Sequence, residues 1–210
     1  MKGLFVTFEG GDGSGKTTQL HHVAAYLREL GYQVVETREP GGTEFAEQVR
    51  RLVLDAKLPL NNNTQALLFA AARSEHVEKV LRPAVEQGKI VLCDRYIDST
   101  LVYQGYGADA APEYLEQLYK LNGFATENFW PQLTIFLQGK PEELLARRQE
   151  RGIIDRFEEK GLEFQNKLYQ GFLALAEKYP ERIKSVSALG SEEEVKLAVL
   201  EKIQEALKAL

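Results

Sequence analysis

The fold is decided by one stretch near the N-terminus, Leu4-Phe5-Val6-Thr7-Phe8-Glu9-Gly10-Gly11-Asp12-Gly13-Ser14-Gly15-Lys16-Thr17. Its second half matches the pattern G-x-x-x-x-G-K-S/T, in which glycines let successive backbone N–H groups turn inward around a phosphate. An apolar run precedes the loop and a helical pattern follows it, which is the context that the motif requires. The stretch therefore predicts a strand, a phosphate-binding loop and a helix, in that order.

The side chains of this loop have predictable roles. The helix N-terminus favours negative charge, Lys16 can reach the outer phosphates of a nucleoside triphosphate, and the hydroxyl of Thr17 can bind Mg2+. A glycine-rich turn with a chance lysine is the competing interpretation, and the strand and helix around the loop disfavour it. The predicted triphosphate site comprises Gly10, Gly11, Asp12, Gly13, Ser14, Gly15, Lys16, Thr17 and Thr18.

Beyond the loop, short apolar runs alternate with longer helical patterns, which is typical of a parallel sheet covered by helices. Because five strands and their crossovers use the whole chain, we expect one α/β domain over residues 1–210, without a linker or an internal repeat. The predicted strands are 4–8, 33–37, 90–93, 133–137 and 183–187, and the predicted crossovers are 16–30, 43–87, 112–127 and 141–179.

The composition excludes several classes of protein. The 210 residues are 44% hydrophobic and 27% charged, as in globular chains, and Cys93 is the only cysteine, so no disulfide framework is expected. A net charge of -5 argues against a dedicated nucleic-acid-binding protein. Glu9 follows too early for a signal peptide, and no stretch approaches the roughly 18 apolar residues of a spanning helix. We expect a cytoplasmic protein with no nucleic-acid or membrane partner.

A second acidic element follows the apolar run Ile90-Val91-Leu92-Cys93, which ends in Asp94 and Arg95. If this strand lies beside the first one, Asp94 can order the Mg2+ shell, directly or through a water. The planar guanidinium of Arg95 is then suited to a second, acceptor phosphate. A structural ion pair between the two residues is the competing interpretation.

A third feature is the arginine cluster at residues 147–156, which holds four of the chain's twelve arginines. Arg147 and Arg151 share a helix face at a spacing of four. Phosphoryl transfer depends mostly on positioning and on neutralising charge, so an arginine-bearing lid at about 147–157 would suit it. We expect Arg151, and after it Arg147, to contact the phosphates. Solvated surface arginines are the alternative, above all for Arg148.

These motifs leave open a phosphoryl-transfer enzyme and a regulatory nucleotide switch. A guanine-reading Asn-Lys-x-Asp would favour the switch, but the one Asn-Lys continues as Asn166-Lys167-Leu168-Tyr169. Phosphoryl transfer to a monophosphate requires no histidine, because the second pKa of a phosphate monoester is near 6 and the acceptor is already ionised. His21, His22 and His76 are therefore predicted to be ordinary helix residues.

Further short blocks follow one another along the chain: Phe8-Glu9-Gly10, Arg38-Glu39-Pro40-Gly41-Gly42-Thr43, Leu68-Phe69-Ala70-Ala71-Ala72-Arg73, Asp94-Arg95-Tyr96, Tyr103-Gln104-Gly105 and Asp155-Arg156-Phe157-Glu158. In these blocks and their order, the chain resembles the bacterial thymidylate kinase family over essentially its full length. The resemblance implies that the chain phosphorylates dTMP to dTDP with ATP and Mg2+, has a three-layer P-loop NTPase fold of the nucleoside-monophosphate-kinase type, and forms a homodimer. A kinase for another monophosphate or for a deoxynucleoside stays the alternative.

The resemblance also implies a set of dTMP-binding residues. Phe69 is the face on which thymine stacks, and Arg73 donates to O4 of the base, where cytosine has an amino donor instead. Tyr103 crowds the 2′ position of the sugar and so favours deoxyribose. Thr100 and Gln104 are placed to meet the edge of the base.

Four further positions are implied around the phosphates. Asp12 approaches the 3′-hydroxyl of the sugar, Arg50 and Arg95 hold the acceptor phosphate, and Glu39 lies near the transferred phosphate and the waters around Mg2+. Some members of the family carry an arginine inside the phosphate loop and others carry arginines in the lid. Position 13 is glycine here, so the chain resembles the second type.

Overall fold

The computed structural model describes residues 3–149 and 161–210, and its centre is a five-stranded sheet in which all strands are parallel. The strand order is β2-β3-β1-β4-β5. All five predicted strands are confirmed, with ends that differ by one residue at most, and so is the α/β fold class. The strands are β1 (Leu4–Glu9), β2 (Val34–Arg38), β3 (Ile90–Asp94), β4 (Leu133–Gln138) and β5 (Ile183–Ser187).

Helices cover both faces of this sheet. Two π-helical segments, Val77–Leu81 and Leu101–Gly105, and a 3-10 turn at Tyr106–Ala108 extend some of them. The long predicted crossover 43–87 consists of several helices rather than one. The α-helices are α1 (Lys16–Glu29), α2 (Glu44–Leu54), α3 (Asn62–His76), α4 (Arg82–Glu86), α5 (Ile97–Thr100), α6 (Pro112–Thr126), α7 (Pro141–Gln149), α8 (Gly161–Lys178) and α9 (Glu192–Lys208).

Local sequence explains where several helices begin. The side chains of Thr43, Asn61 and Ser191 each accept a hydrogen bond from the backbone N–H three residues further on, which caps α2, α3 and α9. Helix α1 begins differently, because Gly15 before it has a left-handed backbone (φ 88°) and no side-chain cap. Its free N–H groups are left for a ligand, as a phosphate-binding helix requires.

Two apolar cores lie on opposite faces of the sheet, because successive strand residues point to opposite sides. Phe5 of β1 packs with residues of α6 and α8 on one face. Leu4, Val6 and Phe8 of the same strand pack with α1 and α9 on the other. Burial on both faces explains why the central strands β1, β3 and β4 are mostly apolar, whereas the edge strands β2 and β5 carry several polar residues.

The topology opens a crevice at the carboxyl ends of β1 and β3. These strands are neighbours, yet α1 after β1 packs on one face and α5 after β3 packs on the other. Loops that diverge in this way from adjacent parallel strands leave a ligand-sized gap between them. No helix in residues 3–149 or 161–210 combines the length and the apolar character needed to cross a membrane.

Candidate active site

A cavity of about 510 Å³ occupies this crevice. It is lined by the glycine loop and the start of α1, by β2, α2 and the connection between them, by helix α3, and by the end of β3 with the segment that follows. Most of the predicted site residues outside the lid lie on its wall, namely Asp12, Lys16, Thr17, Glu39, Arg50, Phe69, Arg73, Asp94, Arg95, Thr100, Tyr103 and Gln104, whereas Ser14 and Thr18 do not. The cavity therefore brings the predicted triphosphate and monophosphate residues together.

The glycine loop has the backbone that its sequence predicts. Gly10 and Gly13 have φ angles of 141° and 85°, which L-residues rarely adopt. A Cβ on Gly10 would lie 2.7 Å from the carbonyl oxygen of Leu137, so only glycine fits there. Lys16 bends back over the loop, and its Nζ donates to the carbonyl oxygens of Gly10 (3.0 Å) and Gly11 (2.9 Å).

The surroundings of Lys16 make its ammonium group less stable than in water. Burial, and then the positive charge of Arg95, lower the pKa of Lys16 from 10.5 to about 8. Phosphate oxygens close to the ammonium group would favour the charged form. Lys16 is thus a buried cation suited to bind an anion, and a bound phosphate would stabilise its charge.

Thr17 and Asp94 form the candidate metal position. The Thr17 hydroxyl donates to Oδ2 of Asp94 at 2.5 Å, because β3 pairs with β1 as predicted. Within the described residues, no group of three or more His, Cys, Asp or Glu side chains is arranged to hold a metal. A cation here would take its remaining ligands from water and phosphate, which is how Mg2+ is usually bound. The two oxygen donors fit that ion.

Arg95 leaves β3 at a sharp corner with a left-handed backbone (φ 71°), and its N–H donates to the carbonyl oxygen of Phe8. Its guanidinium donates to a carboxylate oxygen of Asp12 and lies 5.2 Å from the ring centre of Tyr103. The Tyr103 hydroxyl donates to the other oxygen of Asp12 at 3.3 Å. Loop and corner are thereby joined into one polar wall.

Glu9 supports this corner from below. It is fully buried at the end of β1, where its carboxylate accepts hydrogen bonds from the N–H groups of Tyr96 (2.7 Å) and Ser99 (3.3 Å) and from the Ser99 hydroxyl (2.6 Å). Burial, and then the charge of Asp98, raise the pKa of Glu9 to about 7. The sequence does not predict that Glu9 supports the corner, because its position indicates only that it precedes the glycine loop.

Arg73 is 3% exposed and is held by a dense set of hydrogen bonds. Its Nε donates to Oε2 of Glu39 at 2.6 Å, its Nη1 to Thr100 (3.0 Å) and to Asn122, and its Nη2 to the carbonyl oxygen of Tyr96 (3.1 Å). A guanidinium has five N–H donors. Among the described residues these contacts use four, which leaves one N–H for a ligand.

Glu39 is equally constrained, since its second carboxylate oxygen binds Nδ1 of His76 at 3.0 Å. The prediction that His76 is an ordinary helix residue therefore needs correction. His76 does lie in α3, but it is fully buried and its ring contacts a residue of the cavity wall. A sequence signal was available, because His76 follows Arg73 by three residues and so lies on the same helix face.

The remaining predicted residues have simpler surroundings. Phe69 is half-buried on α3, and Gln104 is 1% exposed in the segment after α5. Nη1 of Arg50 donates to the carbonyl oxygen of Pro40 at 3.0 Å. Thr18 belongs to the first turn of α1 and is not on the cavity wall.

Asn122, which binds Arg73, is a neighbour of the site that was not predicted from the sequence.

The arginine-rich lid lies outside this description. Residues 150–160, with Arg151 and Arg156, are not among the described residues, and the side chains of Arg147 and Arg148 are not described either. The prediction that Arg151 and Arg147 contact the phosphates therefore stays a prediction.

Fold and site together define a class of protein. The strand order is 2-3-1-4-5, and the glycine loop lies between β1 and α1. Basic and aromatic side chains line the opposite side of the same cavity. This combination is that of a P-loop kinase of the nucleoside-monophosphate-kinase type, whereas a switch protein would not need the basic and aromatic side.

Comparison with known proteins specifies the family. The model of the thymidylate kinase family matches residues 8–199. The thymidylate kinase of Symbiobacterium thermophilum is 46% identical over 205 residues (97% of this chain, 94% of the relative), and that of Shouchella clausii is 44% identical over 209 residues (98% and 97%). The crystal structure of the thymidylate kinase from Ehrlichia chaffeensis has a TM-score of 0.75 at 35% identity, with 97% and 99% coverage.

The chain therefore belongs to the thymidylate kinase family. The resemblance stated from its motifs is confirmed, and so is the prediction of a kinase that acts on dTMP. The alternatives of another acceptor and of a regulatory switch have no comparable support.

Proposed function

We propose that this enzyme transfers the γ-phosphoryl group of ATP to dTMP, with Mg2+, across the cavity described above. The observation that carries the proposal is that Phe69, Arg73 and Arg95 line the same cavity as Lys16 and Thr17. Residues suited to a base and an acceptor phosphate thus face residues suited to a triphosphate. Transfer between two bound nucleotides requires that arrangement.

On the donor side, the loop amides and Lys16 bind the phosphates of ATP. Lys16 gives up the carbonyl oxygens of Gly10 and Gly11 and donates to phosphate oxygens instead. Thr17 and Asp94, the latter directly or through a water, would hold Mg2+, which would neutralise phosphate charge. The chain's own contribution is to present an ammonium group and a hydroxyl at fixed positions.

On the acceptor side, Arg95 and Arg50 bind the phosphate of dTMP, and Asp12 accepts a hydrogen bond from the 3′-hydroxyl. Glu39 has both carboxylate oxygens bound to protein side chains, Arg73 and His76. These bonds favour a role in holding the cavity wall over the predicted role beside the transferred phosphate. No general base is required, because the acceptor phosphate is already ionised at neutral pH.

The base is read by the far part of the cavity. Stacking on Phe69 is worth roughly 1–3 kcal/mol and is almost independent of the base. The remaining N–H of Arg73 donates to O4 of thymine, whereas cytosine would bring an amino donor to the same place and leave both groups unpaired. Tyr103 restricts the sugar to deoxyribose, and Thr100 and Gln104 contact the base edge.

Three further parts of the proposal concern the whole chain. Residues 1–210 form one domain, in which the segment at about 147–157 closes over the phosphates with Arg151 and then Arg147. The enzyme is cytoplasmic, where its nucleotide substrates are.

It forms a homodimer, for which Phe124 on α6 (86% exposed) and Leu67 on α3 (58% exposed) offer apolar surface. Light scattering during gel filtration tests the dimer.

One assay panel tests the reaction. ADP formation is measured with ATP and, in turn, dTMP, dUMP, dCMP, dGMP, AMP and thymidine. We expect the highest kcat/KM with dTMP and activity that depends on added Mg2+. Preference for another acceptor would contradict the substrate assignment, and an absence of turnover with every acceptor would favour a nucleotide switch.

A further inference from the structure

A line of hydrogen bonds joins Thr37, Glu39 and Arg73 of the cavity wall through His76, which lies behind them. Nε2 of His76 is 2.7 Å from the hydroxyl of Thr37, its Nδ1 is 3.0 Å from Glu39, and Glu39 accepts from Nε of Arg73 at 2.6 Å. His76, Glu39 and Arg73 are 0%, 5% and 3% exposed. The line therefore ends at the guanidinium that is proposed to read thymine.

These hydrogen bonds determine which ring nitrogen of His76 carries a hydrogen. A carboxylate accepts hydrogen bonds and cannot donate them, so Nδ1 of His76 must carry a hydrogen, whether the ring is neutral or charged. Since water hardly reaches this carboxylate, the imidazole N–H is the donor that satisfies its second oxygen. Without that donor, a buried charged oxygen would be left unpaired or the carboxylate would turn away from Arg73.

The position of Glu39 matters because a guanidinium is a rigid, planar fork. The bond from Nε to the Glu39 carboxylate is the charged one among the four bonds that fix the plane of Arg73, and the plane sets the direction of the one N–H that remains for the base. A rotation of Glu39 would misdirect that N–H without removing the positive charge.

His76 also contacts the backbone that carries Glu39. A Cβ on Gly42 would lie 2.4 Å from Nε2 of His76 and 2.7 Å from the hydroxyl of Thr37. The ring therefore fills the space beneath the connection from β2 to α2, and Gly42 (φ 83°) permits this close approach. The ring is held from two sides and cannot easily turn.

We propose that His76 is a positioning residue for acceptor selection: its Nδ1–H holds Glu39, and Glu39 aims Arg73 at thymine. The inference rests on the proposed role of Arg73. It assigns to His76 an effect on the choice and binding of dTMP, and no contact with substrate.

Two amide substitutions separate this role from that of a core residue. The amide nitrogen of asparagine lies where Nδ1 of histidine lies, and that of glutamine lies where Nε2 lies. His76→Asn therefore retains the bond to Glu39, whereas His76→Gln retains only the bond to Thr37. Both variants lose the aromatic ring, so both should lose similar thermal stability.

The measurements are kcat and KM for dTMP, dCMP and ATP, together with Tm. For His76→Gln we expect kcat/KM for dTMP to fall about tenfold, since a buried charged group loses one hydrogen bond, and the preference for dTMP over dCMP to fall with it. KM for ATP should stay within about twofold. His76→Asn should recover most of the loss. His22 on α1, a partly exposed histidine that is not on the cavity wall, provides the control with the same two substitutions.

Several results would overturn the inference. If the two His76 variants have the same kinetics, or if dTMP and ATP kinetics decline together with Tm, His76 is only a core residue. Arg73→Gln separates this failure from failure of the proposed function. Unchanged dTMP preference in Arg73→Gln would remove Arg73 from base reading, whereas lost preference there but not in His76→Gln would reject His76 alone.

A measurement on the unaltered enzyme does not depend on the folding of variants. Long-range ¹H–¹⁵N correlation spectra of the histidine rings report which nitrogen of His76 carries hydrogen, with His22 as the exposed reference. We expect hydrogen on Nδ1, both before and after dTMP is added. A neutral ring with hydrogen on Nε2 alone would contradict the bond to Glu39 and with it the inference.

Discussion

The two ends of the cavity hold their positive charges in different ways. At the end that is proposed to read the base, Arg73 is bound by side chains and a carbonyl group that belong to the packed interior. At the phosphate end, Lys16 is buried as well, but it donates to carbonyl oxygens of the very loop that is to bind phosphate. The first set of bonds can stay unchanged when substrate binds. The second must be exchanged for phosphate oxygens.

This difference separates selectivity from turnover. A charge that is fixed by buried partners can distinguish one base from another, because a mismatch leaves polar groups unpaired. A charge that is held by replaceable contacts can exchange them for phosphate oxygens when a nucleotide binds, and from there it stabilises the charge that develops on the transferred group. Substitutions at the phosphate end should therefore act mainly on kcat, and substitutions at the base end mainly on the choice of acceptor.

The largest expected effect is at the phosphate end. Lys16→Ala removes the cation nearest to the loop, and we expect kcat to fall about 1,000-fold, the upper range for loss of one preorganised charge-stabilising group. The fold should persist, as circular dichroism would show. Lys120→Ala, at an exposed lysine on α6, is the matched control. Turnover close to that of the unaltered enzyme would remove Lys16 from the mechanism.

The next effect is at the base end. Arg73→Gln supplies both a donor and an acceptor where arginine supplies donors only, so we expect the ratio of kcat/KM for dTMP and dCMP to fall about 10- to 100-fold. The substitution also leaves Glu39 without its counter-charge, which costs about 3–5 kcal/mol of stability. The kinetic assays should therefore be run at a temperature well below the Tm of the variant.

Arg82→Gln controls for the loss of an arginine, since Arg82 bonds to Thr126 and Glu127 and is not on the cavity wall. If Arg73→Gln retains the full preference for dTMP while folded, the base is read elsewhere. If kcat falls equally with every acceptor, Arg73 acts on turnover rather than on the choice of acceptor, and the two ends of the cavity do not differ in this way.

The parts of this molecule that sequence predicts are those in which local pattern and final structure agree. The three central strands β1, β3 and β4 are mostly apolar because both faces of the sheet are covered there, and the glycine spacing of the loop is dictated by its own backbone. The pairing of Asp94 with Thr17 followed from placing β3 beside β1. These features need only one element, or two neighbouring strands, to be placed correctly.

The missed parts depend on several elements at once. Arg73 meets Asn122 only because α3 packs on α6, and His76 meets Glu39 only because α3 packs under the connection after β2. The spacing of three residues between Arg73 and His76 indicates that they share a helix face, but it does not say which residues that face contacts. The segment 97–108 had no predicted helix, since α5, a π turn and a 3-10 turn are each too short to show a period.

A smaller effect is expected from the predicted lid, which belongs functionally to the phosphate end. Arg151→Ala should lower kcat about tenfold and leave KM for dTMP within about twofold, because the residue is predicted to act on the transferred group rather than on the base. Arg148→Ala, in the same cluster, is the control and should be nearly neutral. Equal loss in kcat and in dTMP affinity, or no loss, would argue against a lid role.

The smallest effect concerns the residue that touches both ends. Glu9 accepts from the N–H of Tyr96, whose carbonyl binds Arg73, and from the hydroxyl of Ser99, which also binds Arg95. Its pKa rises from 4.5 to about 7 on folding, so between these pH values the folded enzyme binds more protons than the unfolded chain. The contribution of Glu9 to stability therefore falls as pH rises through this window.

Glu9→Gln removes that titration while retaining an oxygen that can accept from the two N–H groups. We therefore measure the difference between the Tm of the variant and the Tm of the unaltered enzyme. This difference should increase by a few degrees from pH 5 to pH 8, whether it is positive or negative at pH 5. Glu36→Gln, at a carboxylate on β2 whose pKa is lowered by His21 and Arg28 despite partial burial, should show the opposite trend at lower pH. A Tm difference for Glu9→Gln that does not change with pH would mean that Glu9 is ionised throughout, and that the corner beneath Arg95 is held by a permanent charge.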